Sequence, residues 1–133
     1  MKTKLIAVML LVASGLCAQN KLTIVVDGIE NPKGQLMVGV YGKNNFMKSN
    51  PLYGQVIKIE SETVTIELED VKSGEYAVSL YQDENNNQKL DMGTFGPTEK
   101  YGFSNNARGE MGAPKFDDCK FVVESDITIY ITL

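Results

Sequence analysis

The sequence predicts an all-β fold: a single antiparallel β-sandwich of about seven strands, immunoglobulin-like in plan, with one long loop. Apolar residues recur with a period of two rather than the helical 3.6. Turn residues separate the runs at short intervals, and β-branched side chains crowd the alternating positions, which argues against helix.

The first run, Lys21 to Val26, places Leu22, Ile24 and Val26 on one side. Asp27-Gly28 and Pro32-Lys33-Gly34 then turn the chain. Gln35 to Tyr41 repeats the alternation with Leu36, Val38 and Val40. A polar connection, Gly42 to Gly54, carries Asn44, Asn45, Ser49, Asn50 and Pro51 and leads to a shorter run at Gln55 to Ile59. Glu62 to Glu69 is the clearest strand, with Val64, Ile66 and Leu68 against Thr63, Thr65, Glu67 and Glu69. Lys72-Ser73-Gly74 separates it from the run carrying Tyr76, Val78 and Leu80. After the long connection Gln82 to Asp118 comes Cys119 to Val123. Glu124-Ser125-Asp126 links it to a last strand with Ile127, Ile129, Ile131 and Leu133 on one face.

Residues 1–18 read as a signal peptide, which leaves residues 19–133 as one domain. Lys2 and Lys4 give a basic start, Leu5 to Leu16 is apolar and uncharged, and Leu16-Cys17-Ala18 offers a cleavage site. The apolar run is too short for a membrane-spanning helix, which needs about 20 residues. Cys17 raises lipidation as an alternative, but Leu16 stands where lipoprotein signals place Gly or Ala. The expected location is therefore exported, periplasmic or secreted, with no membrane span. Cleavage after Ala18 removes two lysines and no acid, taking the net charge from −4 to −6. Such an acidic chain lacks the basic face of a nucleic-acid binder, so the expected partner is an extracytoplasmic ligand or protein. Cys119 is then the one remaining cysteine, and an internal disulfide is excluded. Its phase with Phe121 and Val123 predicts a buried core residue.

A loop of the size of Gln82 to Asp118 is unusual in a small domain without something to order it. It opens with Asp83-Glu84-Asn85-Asn86-Asn87-Gln88-Lys89-Leu90-Asp91. Counting from Asp83, oxygen-bearing side chains fall at positions one, three, five and nine: Asp83, Asn85, Asn87 and Asp91. That is the opening of an EF-hand-type calcium loop, in which alternating Asp and Asn point hard oxygen ligands inward. The Lys89 carbonyl falls at position seven, and Glu99 supplies a carboxylate from the far side. The expected ligand set is Asp83, Asn85, Asn87, Asp91 and Glu99, with calcium as the cofactor. Two departures stand against it: Gln88 replaces the glycine of position six and Thr94 the glutamate of position twelve. The alternative is a solvated Asn-rich turn that bonds its own backbone. If calcium binds, the expected dissociation constant is about 10⁻⁴ to 10⁻³ M.

Three segments taken together resemble a family: Gly74-Glu75-Tyr76-Ala77-Val78, the loop Asp83 to Asp91, and Pro97-Thr98-Glu99-Lys100-Tyr101-Gly102-Phe103-Ser104-Asn105. The family is the exported bacterial domain-of-unknown-function group DUF2141, and the likeness covers nearly all of residues 19–133. Its loop usually reads Asp-Glu-Asn-Gly-Asn-Gly, so Asn86 and Gln88 depart from it. The resemblance implies a transthyretin-like or carboxypeptidase-regulatory-like sandwich and no established activity. Tyr101 and Phe103 are expected to pin the long loop to the sandwich rather than to face a ligand.

The sequence has no histidine, which removes Ser-His-Asp and Cys-His machinery and the usual zinc sets. The expected function is a non-catalytic secreted or cell-envelope module, calcium-stabilised through the 83–91 loop. A carbohydrate- or peptide-binding domain using the long loops is the alternative. A hydrolase using a pair from Asp83, Asp91 and Glu99 ranks below both.

Overall fold

The computed structural model describes residues 19–110 and 112–133, so the expected signal peptide lies outside the described residues. The fold is all-β. Its strands are β1 (Gln19–Asp27), β2 (Gln35–Tyr41), β3 (Tyr53–Lys58), β4 (Val64–Lys72), β5 (Gly74–Asp83), β6 (Met92–Gly93), β7 (Gly96–Pro97), β8 (Tyr101–Phe103), β9 (Phe121–Val123) and β10 (Ile127–Thr132). A 3-10 turn, Ser104–Asn106, follows β8, and one short helix, α1 (Phe116–Cys119), precedes β9.

The alternation read from the sequence becomes burial. One sheet has the order β10-β1-β4; the larger runs β3-β2-β5-β8, with β9 also on β5. Leu22, Ile24 and Val26 of β1, Val64, Ile66 and Leu68 of β4 and Ile131 of β10 bury into one cluster with Leu36, Val38 and Val40 of β2 and Val78 and Leu80 of β5. Each such side chain contributes about 1.5–3 kcal/mol through removal from water. Because β4 and β5 belong to different sheets, the intervening corner must hold them together. Two tyrosines do so: the Tyr76 hydroxyl donates to the Lys72 carbonyl at 2.6 Å, and the Lys72 N–H donates to the Tyr53 hydroxyl at 3.2 Å.

Three sequence expectations need correction. The pairing is not antiparallel throughout: β1 and β10 run parallel, with Leu22 opposite Ile127 and Val26 opposite Ile131. Parallel neighbours need a long crossover, and here most of the domain lies between the two strands. The long connection is held in part by strand pairing, because β6, β7 and β8 fall within it together with the 3-10 turn and α1. Cys119 ends α1 instead of starting a strand. It is buried, as expected, but in a second cluster with Phe46, Ala77, Phe103 and Phe116.

That second cluster shows how the long connection is ordered. Val78 of β5 packs into the main core while its neighbour Ala77 packs into the second cluster. Phe46 meets Phe103 and Phe116 edge-on, with ring centroids 6.4 and 5.9 Å apart. Ser104, Asn105 and Asn106 bracket the same end. The buried Ser104 hydroxyl accepts the Val78 N–H at 2.9 Å and donates to the Cys119 carbonyl at 2.5 Å. Asn105 donates to the Lys120 carbonyl at 2.9 Å, and Asn106 accepts the Thr132 N–H at 2.9 Å. The Phe-Ser-Asn part of the family-like motif is thus a brace between β5, α1 and β10.

Ser104→Ala strands a buried N–H and a buried carbonyl together. It is expected to destabilise the fold by about 1–3 kcal/mol, seen as a lower urea midpoint with an unchanged m-value.

Candidate functional site

The site is built on the far end of β5. Gln82 and Asp83, the last two residues of that strand, are buried although polar. Gln82 donates its side-chain amide to the carbonyls of Asn31 and Lys33 at 2.8 and 3.1 Å, which ties β5 to the turn before β2. Gly34 in that turn has φ +72°, and any Cβ there would collide with the Asp83 carbonyl. The turn therefore closes directly over the start of the loop.

Asp83 has no exposed surface. A buried carboxylate is stable only with donors around it. Its Oδ1 accepts the Asn87 N–H at 3.1 Å, and its Oδ2 accepts the Gln88 N–H and the Gln35 side-chain amide, both at 2.8 Å. Glu99, 6% exposed, plays the same part from the other end of the loop. Its Oε2 accepts the Glu84 N–H at 2.7 Å and its Oε1 the Asp91 N–H at 2.9 Å. Two carboxylates wind the segment from within by holding its backbone amides.

The outer layer is formed by Asn85, Asn87 and Asp91. Asn85 accepts the Asn87 N–H at 3.3 Å, and Asn87 accepts the Lys89 N–H at 3.0 Å. Both asparagine amides donate to the Asp91 carboxylate, each at 2.6 Å. The winding requires left-handed backbone at Asn86 (φ 55°) and Gln88 (φ 63°), the two positions where the resemblance expects glycine. The backbone path survives the loss of both glycines. Thr94, at the twelfth position, lies in the link between β6 and β7.

All five expected ligands thus gather around one turn in two layers, Asp83 and Glu99 inside, Asn85, Asn87 and Asp91 outside. Their oxygens point first at N–H donors. No three acidic side chains stand at metal-ligand spacing among the described residues. An amide or carboxylate oxygen has two lone pairs; Asp83 Oδ2 uses both, whereas Asn85 and Asn87 each have one oxygen bonded to a single N–H. The charge balance is also one-sided. Ion pairs in this region engage Glu84 with Lys33 at 3.6 Å, but among the described residues no lysine pairs with Asp83, Asp91 or Glu99. Their collective charge is felt at Tyr81, whose hydroxyl is pushed up first by burial and then by Asp83, Glu99 and Asp91.

The hydrogen-bonding roles of Gln35, Gln82 and Ser104 have no local signal in the sequence, because their partners lie far along the chain. Tyr101 also differs from expectation. Phe103 is buried and anchors the connection, whereas Tyr101 remains 49% exposed, its ring edge-on to Phe103 at 5.9 Å. It lines an open groove of ≈ 700 Å³, together with Lys100, Asn106, Arg108 and Thr132.

A family model described as "Uncharacterized protein conserved in bacteria (DUF2141)" matches residues 24–130. No curated protein and no solved structure matches the chain.

The left-handed Gln88 carries a steric cost of about 1–2 kcal/mol that glycine avoids, partly offset by glycine's freedom in the unfolded chain. Gln88→Gly is expected to stabilise the protein by about 0.5–1 kcal/mol in urea unfolding. Asn86→Gly should gain less, since asparagine tolerates this region better.

Proposed function

The chain belongs to this uncharacterised bacterial family, and from that premise we propose that it is a non-catalytic, exported β-module whose 83–99 loop is fastened by a weakly held calcium ion. The observation that carries the reading is the winding of the loop. Asp83, at the first place of a calcium-type spacing, holds the amides of the fifth and sixth, and Asn85, Asn87 and Asp91 converge from the third, fifth and ninth. A hard cation there would take the free lone pairs of Asn85 and Asn87 and the Asp91 carboxylate, and would offset three carboxylates that no lysine neutralises. It would have to displace the two amide contacts to Asp91, so the affinity belongs to the weak extracellular class, about 10⁻⁴ to 10⁻³ M.

Export is supported by the basic, apolar and small-residue layout of residues 1–18. The non-catalytic reading is supported by the lack of any histidine and by the state of the acids. Both oxygens of Asp83 and both of Glu99 already accept N–H donors, which suits structural service better than proton transfer. A ligand-binding role for the long connections is the second reading, favoured by the groove beside Tyr101.

Calcium at ten times its dissociation constant should add about 1.4 kcal/mol of stability, read as a higher melting temperature that chelation reverses. Asp91→Asn should abolish the shift and lower the calcium-free stability by about 0.5–1.5 kcal/mol, because each Asp91 oxygen accepts one asparagine amide and the substitution removes one of these acceptors. Absence of both heat and melting shift at millimolar calcium would remove the ion from this reading.

Cys119 gives a separate check on the non-catalytic assignment. Burial, aided by the Asp118 charge, pushes its thiol from 9.0 up to about 11. A raised pKa favours the folded state below the unfolded value and loses that contribution as pH climbs through the folded one. Stability should therefore decline more steeply between about pH 9 and about pH 11 in the native protein than in Cys119→Ala, where only the raised tyrosines contribute. A thiol reagent at pH near 8 should label Cys119 only on unfolding.

A further inference from the structure

The groove beside β8 holds the chain's single arginine, Arg108. Five lysines, at 21, 33, 58, 100 and 120, are engaged in ion pairs, among them Lys100 with Glu30 at 3.1 Å. Arg108 is exposed and has no acidic partner among the described residues. Lys43, Lys48, Lys72, Lys89 and Lys115 also lack an ion pair among the described residues, but of these cations only Arg108 lines the groove. A guanidinium presents a planar fork of donors that suits a carboxylate better than an ammonium does.

Glu99 also lines the groove, but it is buried and both its oxygens accept backbone N–H groups; Tyr101 and Asn106 match an acidic ligand. Tyr101 lines the groove as a half-exposed ring, held in orientation by its edge contact with the buried Phe103. Such a ring offers a flat apolar face to the C–H face of a pyranose. Asn106 is fixed by the Thr132 N–H through its oxygen, which leaves its amide as a donor. The segment carrying Arg108 is pinched, since Gly109 sits against the Gly112 carbonyl with no room for a Cβ. The groove is open rather than enclosed by apolar side chains, which suits a polar, extended ligand.

We propose that this groove binds an acidic saccharide, with Arg108 holding the carboxylate of a uronic-acid residue and Tyr101 stacked against its ring. The assignment names the ligand class for the second reading above and is independent of calcium.

Titration calorimetry of the protein in a chelating buffer separates the two. A galacturonic acid trimer should bind, galactotriose should bind at least about tenfold more weakly, and added salt should weaken the trimer. Arg108→Gln, at an exposed position, should cost about tenfold or more in affinity for the trimer. Tyr101→Ala should cost about threefold to tenfold. An unchanged melting temperature for Arg108→Gln separates a binding defect from misfolding. The proposal is overturned if the trimer gives no heat at millimolar concentration, if the neutral sugar binds equally well, or if Arg108→Gln binds like the parent. It is also overturned if a tripeptide with a free terminal carboxylate binds more tightly than the trimer through Arg108. None of these outcomes touches the calcium-dependent melting shift, which is read without saccharide.

Discussion

The loop that distinguishes this molecule depends on a negative charge placed where water cannot reach it. Asp83 ends a strand whose preceding residues are fixed by pairing: Gln35 faces Asp83 across β2, and Met37 faces Tyr81. The carboxylate cannot swing out to solvent without breaking that register, so the chain must bring donors to it. Leaving such a group unpaired would cost several kcal/mol. Asn87 and Gln88 turn their N–H groups back, and that return is the winding of the loop. Left-handed backbone at Asn86 and Gln88 follows from the same demand, because the chain must reverse within a few residues. The local strain is tolerated because a buried charge requires the path.

The other half of the long connection is governed by packing. Ala77 gives β5 a second small apolar contact, and Phe46, Phe103, Phe116 and Cys119 close over it. Polar links then fix what the apolar contacts bring near. Ser104 joins β5 to α1, and Asn106 joins the 3-10 turn to β10. The excursion from Gln82 to Asp118 is thus held by a carboxylate-wound turn at one end and an aromatic cluster at the other. Such a division keeps a long segment ordered without a disulfide; among the described residues Cys119 is the one cysteine, and it is buried and free.

The main strands were legible because their signal is local. Alternation in Val64, Ile66 and Leu68 is visible without knowing any partner, and it maps directly onto burial. The parallel pairing of β1 with β10 was not legible, since it joins the two ends of the domain and no local pattern encodes it. Two- and three-residue strands such as β7 and β8 exist only because β6 and β5 lie beside them. In the loop, the spacing picks out Asp83, Asn85, Asn87 and Asp91, which lie around one turn. What each oxygen touches was hidden, because that depends on which amides the winding presents. Glu99 shows the difference: the sequence offers it as a carboxylate from the far side, and its oxygens clamp two backbone N–H groups of the loop.

The stretch from Pro97 to Asn106 links these two regimes within a few residues. Glu99 faces inward and serves the loop, Phe103 faces inward and serves the aromatic cluster, and Tyr101 between them is left outside. Strand periodicity makes this unavoidable along β8: with Phe103 paired to Ser79 and Tyr101 to Tyr81, the two rings share one face of the sheet. The cluster covers that face at Phe103 and stops short of Tyr101. An exposed aromatic ring at the limit of a packed cluster carries little stabilising burial of its own, and it shares its groove with the chain's one guanidinium, which pairs with no carboxylate among the described residues. Stability alone gives no reason for that pairing of groups, whereas recognition of a ring that bears an acid does.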